Sequence, residues 1–133
     1  MKLEDIVCDF EYAEKLRELG LYKRSLFWYN SKGLLELDDS IPIEYAEDFV
    51  YFTYTVAELG EMLPNMVEGD DEDKVIYYDG SLQIIKAFDD IFEASYSYYD
   101  QDLICFADPK EANARAKLLI WLIENKHVNV EEL

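Results

Sequence analysis

The 133-residue chain carries 30 acids against 12 lysines and arginines, a net charge of −18, yet half of its residues are hydrophobic. That apolar content excludes a disordered acidic tail, and the length suits a single domain, 1–133, able to bury a core without a metal or disulfide scaffold. The charge excludes direct nucleic-acid binding and anionic membranes, and it favours basic partners.

The first predicted element is a helix. Asp9 is placed to cap it, Phe10, Ala13, Leu16 and Leu19 recur on one face, and Gly20 reads as the residue just past its end. "SLFWYN" then reads as a strand, "SKG" as a turn and "LLEL" as the return strand. After an acidic loop through Pro42, "FVYFTY" is a strand rich in aromatic and β-branched residues. Thr55 to Glu58, "TVAE", is a capping box that opens a short helix ending before Pro64.

The second half reads in the same order. "VIYY" is a strand, Asp79-Gly80 the two-residue hairpin turn, and "SLQIIKAF" the return strand. "FEASYSYYDQD" is the following loop and "DLICFAD" the next strand. "DPKE", Asp108 to Glu111, is a second capping box before a long helix from Pro109 to Asn125. An internal repeat, 25–64 and 74–126, follows from this order. The expected fold is α+β: an N-terminal helix, then two β-β-β-α units, forming an antiparallel sheet of about six strands with helices packed on one face.

Charge is unevenly distributed. From Glu36 to Asp108 there are twenty acids against only Lys74 and Lys86, while the segments on either side are each neutral. Eight of the eleven tyrosines lie in the same stretch. Tyrosine offers a rigid apolar face that also receives Arg or Lys, so this stretch reads as the candidate contact surface. Ordinary cross-strand packing accounts for Tyr51, Tyr77 and Tyr78. Tyr96, Tyr98 and Tyr99 show no clear period, so their exposure is open.

Recognisable chemistry is sparse. His127, the only histidine, follows the last helix, where pairing with the helix dipole is the plain reading. No G-x-S-x-G, dinucleotide fingerprint or P-loop is present. "EGDDEDK" fails as an EF-hand in both registers, because Val75 falls where glycine is required or Val75 and Tyr77 fall at ligand positions. No catalytic residue, metal ligand or cofactor is assigned, and the chain is not read as an enzyme. Cys8 and Cys105 are expected as buried free thiols. The start lacks the tripartite pattern of a signal peptide and no apolar run reaches the length of a membrane span, so a cytoplasmic location is expected.

"AEKLRELG", "SLFWYN", "TVAELGEMLP" and "EANARAKLLIWLIENK" together resemble small uncharacterised proteins carried by bacterial phages, prophages and other mobile elements. The resemblance implies a bacterial cytoplasm and a mobile-element gene, and it carries over no functional residues.

The expected function is that of an acidic protein–protein interaction protein, in its sharpest form a DNA mimic that inhibits a host defence or nucleic-acid-processing factor. Carboxylates then occupy the partner's Lys/Arg groove, and exposed aromatics replace stacked bases. The residues expected to carry it are Asp70, Asp71, Glu72, Asp73, Asp89, Asp90, Tyr98, Tyr99, Asp100 and Asp102. The partner expected is a basic protein, and the chain itself a monomer or homodimer. The alternatives are an accessory protein contacting another element-encoded protein through an apolar patch, and a small carboxylate-dependent hydrolase.

Overall fold

A computed structural model describes residues 2–37, 51–70, 77–87, 90–98 and 101–133, with the main chain alone for residues 37, 68–70, 77–81, 98 and 101–102. After a 3-10 turn at Leu3–Asp5, helix α1 spans Phe10–Glu18. Its end follows the sequence expectation: Gly20 sits at φ +99°, its amide donates to the Arg17 carbonyl at 2.9 Å, and the Leu21 amide donates to Leu16 at 3.0 Å. These two bonds are the Schellman pair, which needs a left-handed residue and therefore favours glycine. The start differs from expectation. Asp9 has the extended backbone of a cap, but its carboxylate makes no bond to its own helix.

Strands β1 (Phe27–Tyr29) and β2 (Leu35–Leu37) form the first hairpin. The Asn30 side-chain oxygen closes its turn by accepting from the amides of Lys32 and Leu34. Strand β3 (Tyr51–Thr53) pairs with the other edge of β1, giving a three-stranded antiparallel sheet in the order β2-β1-β3. Helix α2 (Val56–Met62) begins with the expected capping box. The Glu58 amide donates to the Thr55 hydroxyl at 3.2 Å, and the Thr55 amide donates to the Glu58 carboxylate at 3.0 Å.

The remaining strands form a second antiparallel sheet in the order β4-β5-β6-β7, with β4 at Met66–Asp70, β5 at Tyr77–Lys86, β6 at Phe92–Tyr98 and β7 at Gln101–Asp108. This overturns the single sheet of about six strands: the α+β class holds, but two sheets of three and four strands share the chain. The expected hairpin at Asp79-Gly80 is absent. Both residues lie inside β5, with Asp79 opposite Glu68 and Gly80 opposite Val67. A local turn signal loses here to non-local pairing with β4, a strand the acidic composition had hidden. The expected loop from Phe92 is likewise a strand, β6, paired on both sides.

Helix α3 spans Glu111–Glu124, two residues later than expected at its start. Its expected capping box does not form, because Asp108 accepts from the Lys110 amide at 2.9 Å and Glu111 lies 3.8 Å from Arg115. Residues on all sides of α3 are buried, including Ala112, Ala114, Ala116, Leu118, Leu119 and Leu122, each with no exposed surface. Contacts run in order from the first sheet to α1, from α1 to α3, and from α3 to β6 and β7. Helices α1 and α3 therefore stand between the two sheets, which replaces the expectation of one helical face. Phe10 anchors the first contact, edge-on to Tyr29 at 5.5 Å and to Tyr51 at 5.1 Å between ring centres. Tyr54, Leu59, Tyr96 and Leu16 join the α3 leucines in one core cluster.

Candidate functional site

The register of β5 decides where the acidic stretch goes. Its first half, Tyr77 to Ser81, pairs with β4, and its second half, Ser81 to Lys86, pairs with β6. Beyond Ser81, β4 and β5 therefore continue as a two-stranded ribbon past the β6 edge. At about 3.4 Å per residue the extension from Ser81 to Tyr77 is about 14 Å. By sequence the ribbon carries Glu68, Asp70 and Asp79.

The expected contact residues divide between the two ends of the four-stranded sheet. Asp70 closes β4 at the ribbon end, and Tyr98 and Asp102 flank the β6–β7 connection on that same end. Asp90 is at the opposite end, between β5 and β6, exposed, at φ +59°, with its carboxylate 3.3 Å from the Lys86 ammonium. Asp71, Glu72, Asp73, Asp89, Tyr99 and Asp100 lie outside the described residues.

Tyr96 is not part of any contact surface. It has no exposed surface, and its hydroxyl donates to the Pro64 carbonyl at 2.7 Å. The signal for this was present in "FEASYSY": Phe92, Ala94 and Tyr96 alternate with Glu93, Ser95 and Ser97, the period of a strand. The thiols also differ from expectation. Cys8 is fully buried, and burial pushes its thiol up in pKa despite a hydrogen bond with Thr53. Cys105 is exposed, because its side chain points to the face of β7 turned away from the helices, opposite to Ile104 and Phe106.

Sequence reasoning missed a polar network at the starts of α1 and α3. Asn113, 4% exposed, accepts from the Asp9 amide at 2.8 Å and donates to the Asp9 carboxylate at 2.8 Å and to Asp108 at 3.2 Å. Lys110 donates to Asp9 at 2.6 Å, while Lys117 lies 3.0 Å from Asp108 and donates to the Ala107 carbonyl at 2.9 Å. Burial alone pushes the Asp9 carboxyl up, but the hydrogen bonds of Lys110 and Asn113 and the Lys110 charge outweigh it, leaving the group below its ordinary value. Each carboxylate thus faces its own lysine, an arrangement that ties two helices together rather than sharing a proton between two acids. No sequence signal marks it, since Asp9 and Asn113 are 104 positions apart.

Beside this network lies a pocket of 640 Å³. Its walls come from Ile6, the first turn of α2 at Val56 and Ala57, Phe92 at the start of β6, and Pro109, with Asp5, Lys110 and Glu111 among its polar lining. Phe92 pairs with Asp108, so the pocket is at the end of the sheet away from the ribbon. Among the described residues no group of three or more His, Cys, Asp or Glu side chains could hold a metal ion, and no helix is long and apolar enough to cross a membrane.

Comparisons of the chain with protein-family models, with curated proteins and with solved structures returned no match.

Proposed function

We propose that this chain is an acidic interaction protein of a phage or other mobile element, which occupies the basic groove of a host nucleic-acid-binding protein in place of DNA. The observation that carries the reading is the offset register of β5, which extends the β4–β5 ribbon beyond the rest of its sheet. Residues 68–79 hold six acids and one lysine, and they include both ribbon strands. Glu68 and Asp70 are two residues apart on an extended strand, about 6.8 Å, which is twice the 3.4 Å rise per phosphate along one DNA strand. Asp70 lies at the same end of the sheet as Tyr98 and Asp102, so acidic and aromatic positions share that end. A narrow ribbon can enter a groove that a broad sheet cannot.

The partner in this reading is a basic protein, bound largely through charge, so its complex weakens steeply as salt rises. Capture from a bacterial lysate at low ionic strength, with stepwise salt elution, tests it. The expected result is release of Lys/Arg-rich nucleic-acid-binding proteins at moderate salt, with duplex DNA competing for them. Joint reversal of Asp70, Asp71, Glu72 and Asp73 to lysine abolishes the capture. Retention of the same partners by that variant, or release indifferent to salt, overturns the reading.

A further inference from the structure

We propose that the pocket between the Leu3–Asp5 turn and the starts of α2 and α3 receives an apolar side chain of a basic peptide segment. Its size lies within the roughly 300–1,000 Å³ of built ligand sites. The walls are apolar: Ile6, Val56, Ala57, Phe92 and Pro109. They are also fixed before any ligand arrives. The Thr55–Glu58 capping box sets the α2 wall, the Ile6 amide donates to Leu3 at 3.2 Å, and Asp108 holds the Lys110 amide beside Pro109. A preformed pocket costs little ordering on binding.

The charges choose the occupant. Lys110, the basic group in the lining, is already bound to Asp9 at 2.6 Å, and Glu111 is 3.8 Å from Arg115. Asp5 accepts only from the Lys2 main-chain amide among the described contacts, at 3.2 Å. Its carboxylate therefore stays available at the pocket mouth, on a chain of net charge −18. An apolar side chain fits the walls and an adjacent lysine or arginine fits Asp5, whereas an anionic occupant meets uncompensated negative charge. This rests on the reading of the chain as a binder of basic proteins, and it gives that partner a second, apolar anchor far from the ribbon.

The test uses the hexapeptide Lys-Arg-Leu-Phe-Lys-Arg, blocked at both ends, titrated into isotope-labelled protein while main-chain amide shifts are followed. The expected result is saturable movement of the Ile6, Ala57 and Phe92 amides with a dissociation constant below about 1 mM. Replacing the peptide's Leu-Phe by Ser-Ser abolishes those shifts. Ala57→Trp, which fills the pocket from an exposed position, and Asp5→Lys each weaken binding about tenfold or more. If Ala57→Trp alters the fold, Asp5→Lys carries the comparison. No movement of these amides up to about 1 mM, equal movement with the Ser-Ser peptide, or unchanged binding in Asp5→Lys overturns the proposal. The lysine-reversed ribbon keeps full peptide binding if the pocket acts by itself, so the ribbon and the pocket fail separately.

Discussion

Asn113 holds Asp9 by both ends: its side-chain oxygen takes the Asp9 amide proton, and its side-chain nitrogen donates to the Asp9 carboxylate, each at 2.8 Å. One amide side chain on α3 thereby fixes the first residue before α1. The carboxylate that could have capped α1 is spent on the neighbouring helix instead.

Asn113→Ala leaves the Asp9 amide without its partner at a part-buried position, where the Asp9 side chain is half exposed. An unsatisfied buried polar group costs about 1–3 kcal/mol, and water reaches part of this site, so about 1–2 kcal/mol of stability should disappear. Urea unfolding of the variant and the parent measures the difference. Asn113→Asp should cost more at neutral pH than at pH 4, because it adds a carboxylate beside Asp9 and Asp108.

Asp9 should make acid destabilisation steeper. Its folded-state pKa lies below the ordinary 3.8, so its contribution is complete above the unfolded value and is lost as pH falls through the folded one. Between pH 5 and about 3 the urea midpoint of the parent should therefore fall faster than that of Asp9→Asn. Equal slopes in parent and variant refute the assignment. The comparison between the two chains cancels the general relief of charge repulsion that acid brings to so acidic a protein.

Three tyrosines should resist alkali. Burial pushes the Tyr29 hydroxyl up to about 12 and moves Tyr54 and Tyr96 further up still. Their hydroxyls donate to the carbonyls of Cys8, Lys23 and Pro64 respectively. With folded pKa values raised, their contribution is whole below about pH 10 and declines as pH rises toward the folded values. Ultraviolet titration should show a late tyrosinate phase coupled to unfolding. Tyr96→Phe should shrink the late phase and cost about 1 kcal/mol of stability at neutral pH.

Gly20→Ala should destabilise by about 1–2 kcal/mol, since alanine at φ +99° is strained. The added methyl meets Val130 only at ordinary contact distance, 3.4 Å, so backbone strain and not collision sets the cost. Thermal unfolding checks the size, and Gly33→Ala, at φ +76° with nothing near the added carbon, gives the strain without any contact.

What could be read from sequence followed the range of the interaction. The Gly20 terminus, the Asn30–Leu34 turn and the Thr55–Glu58 box depend on residues within five positions of each other, and the sequence placed all three. The second sheet depends instead on pairings that reach up to 16 positions, such as Ser81 with Ser97 and Phe92 with Asp108, and there the reading went astray. Asp79-Gly80 satisfies a hairpin turn by itself, but both residues pair with β4 and stay inside an extended strand. β4 escaped notice because Glu68, Gly69 and Asp70 have low strand propensity, and only partners on β5 make a strand of them. Among the residues expected to make contact, Asp70, Tyr98 and Asp102 do share one end of the sheet, whereas the fold sends Asp90 to the other. The Asp9–Asn113 pair had no local trace at all.

The offset of β5 also makes the ribbon a detachable part. Among the described residues the last core side chain of β4 is Val67, and β5 regains a neighbour in β6 at Ser81. A chain in which a tight turn replaces residues 68–79 would keep every described core residue while losing six acids and one lysine. Such a deletion would separate what the protein needs in order to fold from the acidic segment itself, and the ribbon grafted onto an unrelated hairpin would carry its charge pattern to a new scaffold.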